Sequence, residues 1–314
     1  MARLINVPGI ASLLLVSRAE EIDDLIGHPS LDRAFAGGGR MLNRMLVAGF
    51  DRQMRHDGEV LAAFRPRDDA DRRTRQAELF ARLDTFGETS AWPPAPLGEM
   101  ARYVVEGRDR RSAEAALAFA VASPFLNLEP GTLHDDAYKP IGRHLWRLHR
   151  RVTRTRTPLS PWAMLLRLTR ADRRARGAIL DHVRDDPYGL HAVEITLANG
   201  HAILEQMRRV MVERPHGAAF NGRDLAWASI RTAPQTVVRQ SGSAPITLPH
   251  VASRVPPRTL VLLRMRRGLA SEPASGYEFA SRHWSACPAR RYVMRLFTAV
   301  ADTAVDLART RGRS

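Results

Sequence analysis

Cys287 is the only cysteine in 314 residues, and that removes two ways a chain of this size can be held together. An internal disulfide framework is excluded, and so is a cysteine-rich zinc site. The fold must rest on a buried apolar core, which a chain with 44% hydrophobic residues can build as one large domain or two small ones. A reducing compartment is the matching expectation. Near the N-terminus the longest apolar run, Ile10 to Val16, is closed by Arg18, Glu20 and Glu21 and is far too short to span a bilayer. No cleavable signal pattern precedes it. The expectation is a cytoplasmic protein without a membrane anchor.

Apolar periodicity predicts a mostly helical chain. Strand character opens it over Val7 to Arg18, followed by a first helix at Ala19 to Ile26 and a glycine turn at Gly37 to Gly39. A helix begins at the acids Asp68, Asp69 and Asp71. Further helices are expected at Leu97–Val105, Ser112–Val121 and Tyr138–Thr153, the last with Ile141, Leu145, Leu148 and Val152 along one stripe. From Tyr188 to Glu213 the pattern is one long helix, interrupted by Gly200, which weakens a helix by about 1 kcal/mol relative to alanine. A short helix follows with Asp224 as its N-cap and Pro234 ending it. Two strands, Ala244–Leu248 and Thr259–Leu263, lead to the segment Phe279-Ala-Ser-Arg-His-Trp-Ser-Ala-Cys287-Pro288. After it, Val293, Leu296, Phe297, Val300, Ala304 and Leu307 make the apolar stripe of a last helix. A lone cysteine is compatible with an inert buried thiol. At the head of a helix, though, a thiolate is favoured by the dipole and the unpaired N–H groups.

Basic residues outnumber acidic ones by 48 to 33, a formal net charge of +15. Lys139 is the only lysine, and the arginines are interleaved with Asp and Glu through Asp68–Arg82 and Arg170–Asp186, as on solvated helix faces. Aromatic residues make up 6% of the chain, too few for a base-stacking platform, so nucleic-acid binding is not expected. The dense group Arg290, Arg291 and Arg295 suits an acidic partner.

The order of these landmarks resembles the cytochrome P450 family. The resembling elements are a long helix with a central glycine, an Arg231-x-x-Pro234 helix, a downstream Arg239, a pair of strands, and a Cys-Pro loop opening an amphipathic helix. The likeness is strongest over residues 192–308 and fainter over 1–191, and the chain is shorter than a usual member. It implies a mainly α fold with small β-sheets, a compact single P450-like domain over residues 1–314. It also implies haem b held through the Cys287 thiolate, and a haem-thiolate oxidoreductase, of monooxygenase or peroxygenase type, acting on a small hydrophobic substrate. On the resemblance, Gly200 and His201 line the distal pocket as catalytic residues, His283 and Arg290 beside the ligand loop bind the cofactor, and Arg231 supports the cofactor-binding core. Arg239, with Arg75 or Arg150, then holds the haem propionates; Arg72 is a substitute for Arg75. An acidic ferredoxin-type donor or a partner enzyme is the implied protein partner.

The chain departs from the family pattern at several places. The acid and alcohol expected beside the central glycine are replaced by His201 and Ala202, or Ala202 and Ile203, which points toward peroxide-driven chemistry. His201 can relay protons near neutral pH or stand as a satisfied core histidine. The glutamate paired with Arg231 is replaced by Ala228, so either another acid serves or Arg231 is less buried than its family counterpart. These losses leave open an alternative, a catalytically degenerate P450-like binding or helper protein.

Overall fold

The computed structural model describes residues 2–32, 35, 38–89, 92–126, 137–154, 170–213, 221–233, 236–265 and 287–311. They fall into two compact units, residues 1–79 with 234–290 and residues 80–233 with 291–314.

The first unit is built on a five-stranded sheet. β1 (Arg3–Val7) and β2 (Ala11–Val16) form a hairpin, followed by α1 (Ala19–Ile26) and the short β3 (Leu31–Asp32). α2 (Met41–Gln53) comes next, then the small ribbon β4 (Arg55–His56) and β5 (Glu59–Val60), and the start of α3 (Ala70–Thr89). β6 (Thr236–Ser241) and β7 (Leu260–Arg264) complete the sheet in the order β1-β2-β7-β6-β3, with only β2 and β7 parallel. Side chains alternate across it. Leu14, Val16, Val261 and Leu263 face α1 and pack on Ile22, Leu25 and Ile26; Leu13, Leu260 and Val238 face the other way, toward Phe35 and Val47. The buried Asn43 of α2 ties that helix to the sheet, its amide nitrogen donating to the carbonyls of Ser12 at 2.7 Å and Arg258 at 2.9 Å. Gly39 can only be glycine, because φ is +86° and a Cβ would lie 3.0 Å from that of Arg258.

The second unit is helical: α4 (Pro94–Glu106), α5 (Arg110–Ala122), α6 (Tyr138–Arg154), α7 (Ala171–His182), α8 (Pro187–His191), α9 (Leu197–Val212), α10 (Gly222–Thr232) and nearly all of α11 (Arg290–Arg311). α5 is its axis, buried at Ala113 and from Ala115 to Ala122. Its small side chains let α6 approach so closely that a Cβ at Gly142 would collide with the Ala115 carbonyl. Tyr292 of α11 sits in the core, donating to the Ala120 carbonyl and accepting from Trp92 Nε1 at 3.2 Å; burial pushes its phenol well above its usual pKa.

The predicted helices are present, with three corrections. The α10 cap is Asn221, whose Oδ1 accepts from Asp224 N–H at 2.8 Å; Asp224 lies inside the first turn. The expected strand Ala244–Leu248 is reduced to one bridge, Ile246 to Val255, and the extended partner of β7 is β6. The long central helix deviates at Ala192–Thr196, a π-helical turn, and runs as regular α-helix through Gly200. Among the described residues no helix is long and apolar enough to cross a membrane.

Candidate functional site

Cys287 lies three residues ahead of α11, half-buried, with Pro288 and Ala289 buried behind it. Its carbonyl accepts from Arg290 N–H at 3.2 Å, closing the turn that starts the helix. Cys287 therefore immediately precedes the N-terminal turn of a 22-residue helix, the end at which negative charge is stabilised. His283 and the rest of the upstream loop lie outside the described residues. Arg290 is partly exposed in the first turn. Arg291 and Arg295 are committed to α3: Arg291 pairs with Asp84 at 2.7 Å, and Arg295 with Glu88 at 2.9 Å and the Asp84 carbonyl at 3.1 Å.

The arginines considered for carboxylates have very different surroundings. Arg75 is exposed and pairs with Glu78 at 2.9 Å, and Arg150 is exposed on α6. Arg72 is the buried arginine of α3, 2% exposed, and donates to Gln76 Oε1 at 3.3 Å. Sequence periodicity carries a signal for it, since Arg72, Gln76, Leu79 and Leu83 recur at helical spacing and all four are buried. Arg239, 3% exposed, points to the α1 face, donating from Nε to the Ile26 carbonyl at 3.2 Å and from NH1 to the Val238 carbonyl at 2.9 Å. Its neighbour Gln240 faces the other side of the sheet, is 2% exposed, and has no hydrogen-bond partner for either amide atom. Nothing in residue type alone marks Gln240. Arg231 is half-buried, with its Nε wholly shielded from water.

Gly200 is buried between Leu117 of α5 and Phe297 of α11, where a Cβ would stand 3.4 and 3.7 Å from their side chains. His201, next to it, joins an ion cluster among α4, α5 and α9. Its Nε2 is 3.5 Å from Glu114, 3.5 Å from Glu205 and 3.1 Å from Arg110 NH2. Nε2 serves one role at a time, accepting from Arg110 when the ring is neutral and donating to a carboxylate when it is protonated. Arg110 also donates to Glu114 at 2.9 Å, and Tyr103 donates to Glu205 at 2.6 Å. For Glu114, burial acts upward but is outweighed by hydrogen bonds from His201 and Arg110, so the carboxyl is held below its usual pKa. Burial and the hydrogen bond to Glu205 push the Tyr103 phenol up to about 12.

The π-turn at Ala192–Thr196 is the feature that sequence reasoning missed. Such turns expose backbone groups and recur at functional sites. The Val193 carbonyl lies 2.7 Å from His149 Nδ1, which must carry the proton because a carbonyl only accepts. Glu194 is fully buried; Arg176 NH1 donates to its Oε2 at 3.1 Å and lies 3.0 Å from Oε1, off the hydrogen-bonding line. An acid inside an apolar run was the available signal.

No family model and no curated protein matches the sequence. Solved structures do. A variant of cytochrome P450 OleT in complex with arachidonic acid matches with TM-score 0.56 and 11% identity over 96% of this chain and 82% of that one. P450BioI in complex with hexadec-9Z-enoic acid ligated acyl carrier protein gives 0.52 and 11% over 94% and 84%. Cytochrome P450 MoxA from Nonomuraea recticatena gives 0.52 and 12% over 98% and 84%. The chain thus has a divergent P450-like fold, mainly helical with small sheets.

Proposed function

We propose that the chain, folded over residues 1–314 as one P450-like domain, is a haem-thiolate oxidoreductase of monooxygenase or peroxygenase type acting on a small hydrophobic substrate. The observation that supports it most is Cys287 at the head of α11 in a chain of this fold. The residues fit the cofactor in two respects: Cys287 shortly precedes a helix N-terminus, which favours a thiolate nearby, and the first unit carries a buried arginine, which suits a carboxylate. Haem b held through the Cys287 thiolate would supply dioxygen or peroxide chemistry.

The chain's own residues divide the remaining work. Backbone N–H groups around Cys287 steady the sulfur, with His283 and Arg290 flanking it in sequence. Arg231 supports the core, and Arg239 braces the sheet against the end of α1. Because Arg75 and Arg150 face water, we assign the carboxylate-holding role to Arg72. Gly200 and His201 lie on the helix that the resemblance places on the distal side. The missing acid–alcohol pair favours peroxide as oxidant over dioxygen with an acidic ferredoxin-type donor. Two structural neighbours carry fatty acids, one of them on a carrier protein, which agrees with a hydrophobic substrate.

An absorption spectrum of protein expressed with haem supply, reduced and exposed to carbon monoxide, tests this reading. A red-shifted thiolate band present in the wild type and lost in Cys287→Ala is the expected result. A haem-free wild type, or a spectrum unchanged by the substitution, would falsify it and favour the helper-protein alternative.

A further inference from the structure

Exposed arginines on α3, α4, α5 and α11 have an acid at hand. Arg75 pairs with Glu78 at 2.9 Å, Arg102 with Glu99 at 2.9 Å, Arg110 with Glu114 at 2.9 Å and Arg291 with Asp84 at 2.7 Å. α6 differs. Its 17 residues contain no Asp or Glu, and Arg143, Arg147, Arg150, Arg151 and Arg154 are all exposed. Among the described residues none of these five forms an ion pair. The Nε atoms of Arg143 and Arg147 donate only to carbonyls of their own helix, to Lys139 at 3.2 Å and to Arg143 at 3.3 Å.

Helix geometry gathers these groups on one side. At 3.6 residues per turn the five positions fall within an arc of about 100°, along about 17 Å of helix. The other side belongs to the core, where Tyr138, Gly142, Leu145, Leu148, His149 and Val152 are buried. No large apolar residue of α6 is exposed, so the helix has nothing to insert into a bilayer. Beside the arginine face, His144 stacks on His182 of α7 with ring centroids 4.8 Å apart. Burial, then the charges of His182, Arg147 and Arg151, lower the proton affinity of His144, and each of those neighbours is basic. Like charges four residues apart, as at Arg143 and Arg147, Arg147 and Arg151, and Arg150 and Arg154, repel one another. A face that keeps them with no compensating acid is stabilised by an anion from outside.

We infer that this face of α6 docks duplex DNA through its phosphate backbone. A guanidinium meets a phosphate with two parallel hydrogen bonds. Duplex DNA carries about one charge per 1.7 Å of axis, so about ten phosphates lie along the length of the arginine face and each arginine can meet its own. A partner of uniform sign is indicated because α6 holds no acid with which to match the mixed charges of a protein surface. The interleaving with Asp and Glu that disfavours nucleic acid over Asp68–Arg82 and Arg170–Asp186 is absent from this helix, and the scarcity of aromatic residues bears on single strands, whose bases need stacking platforms. Contacts to phosphate alone carry no sequence information, so docking is independent of base sequence. The inference stands apart from the haem chemistry and does not depend on it.

The test titrates the full chain into a fluorescent DNA duplex of about 20 base pairs and follows anisotropy from about 50 to about 200 mM salt. For wild type the logarithm of the binding constant should fall against that of salt with a slope of about −4.5, about −0.9 for each of five phosphates. The triple variant Arg143→Glu, Arg147→Glu, Arg151→Glu should bind at least about a hundredfold more weakly at low salt, with the slope reduced to about −2. A control triple, Arg209→Glu, Arg223→Glu, Arg254→Glu, makes the same change of charge at exposed positions on other elements and should lose less than about tenfold. Two duplexes of unrelated sequence should bind alike. Replacing the same three α6 arginines by Gln removes charge without reversing it, should give an intermediate loss, and carries the test if the reversed variant does not fold. Equal losses in the two triples overturn the inference, since the attraction would then belong to net charge and not to α6; so does a wild type that binds no duplex. Polyglutamate or phosphatidylglycerol vesicles that bind through the same arginines more tightly than the duplex also overturn it, in favour of an acidic protein or an anionic lipid surface.

Discussion

The two polar centres of this molecule differ in how completely they are satisfied. In the first unit, Gln240 is buried with both amide atoms idle. In the second, Arg110, Glu114, His201, Glu205 and Tyr103 form a closed set in which every member has a charged or hydrogen-bonded neighbour within 3.5 Å. The contrast separates polar groups that satisfy one another from polar groups buried without a match. A buried polar group with all its partners adds rigidity and specificity, whereas one without partners lowers stability and is retained for another reason. His201, a catalytic candidate by sequence, belongs geometrically with the closed set; Gln240, unremarkable by sequence, belongs with the open one.

The largest expected effect lies at the buried pair Arg176–Glu194. Arg176→Ala removes one charged partner of the fully buried Glu194, and breaking a buried pair by losing one partner typically costs about 3–5 kcal/mol. Urea unfolding should show most of that loss, and Glu194→Gln should recover part of it in the double variant. A change below about 1 kcal/mol would mean that the π-turn does not depend on the pair, and the comparison would lose its strongest case.

Much of this architecture was legible in the chain because apolar periodicity reports burial. The stripe from Val293 to Ala304 did become the buried face of α11, with Leu307 half-buried at its end, and Leu145, Leu148 and Val152 became that of α6. Legibility ended where burial and residue type part company. β6 buries Arg239, Gln240 and Ser241, so its polar sequence hid a central strand, and among the described residues the expected strand at Ala244–Leu248 pairs only at the Ile246–Val255 bridge. The break in the central helix was expected at Gly200, yet the helix runs on through it, and a Cβ there would meet Leu117 and Phe297 only in ordinary contact. A π-turn needs only one inserted residue and leaves no composition of its own. The choice between Arg72 and Arg75 could have been made from helical phase, since only Arg72 shares the face of Leu79 and Leu83.

A smaller effect is expected on the acid side. Glu114 has a folded pKa below its ordinary 4.5, so in the interval between the two values the unfolded chain binds more protons than the folded one. Its contribution is present above the ordinary value and lost as pH falls through the folded one. Glu114→Gln should flatten the fall in melting temperature between about pH 5 and pH 3 relative to wild type. An identical acid limb in both proteins would show that the cluster is saturated in appearance only.

The smallest effect lies at the opposite limb and concerns Tyr103, whose phenol is raised from 10.0 to about 12. Here the folded state holds its proton longer than the unfolded chain, so stability is complete below pH 10 and declines as pH rises toward 12. The causes are burial and the hydrogen bond to Glu205, which a phenolate could not donate. Tyr103→Phe keeps the buried ring and removes the titration. It should lose a little stability at neutral pH, on the order of 1 kcal/mol for the missing hydrogen bond, and should be less sensitive than wild type to alkali. Equilibrium unfolding at pH 8 and pH 11 separates the two contributions. A variant that loses stability at both pH values alike would show that the Tyr103 hydroxyl contributes its hydrogen bond without governing the alkaline limb.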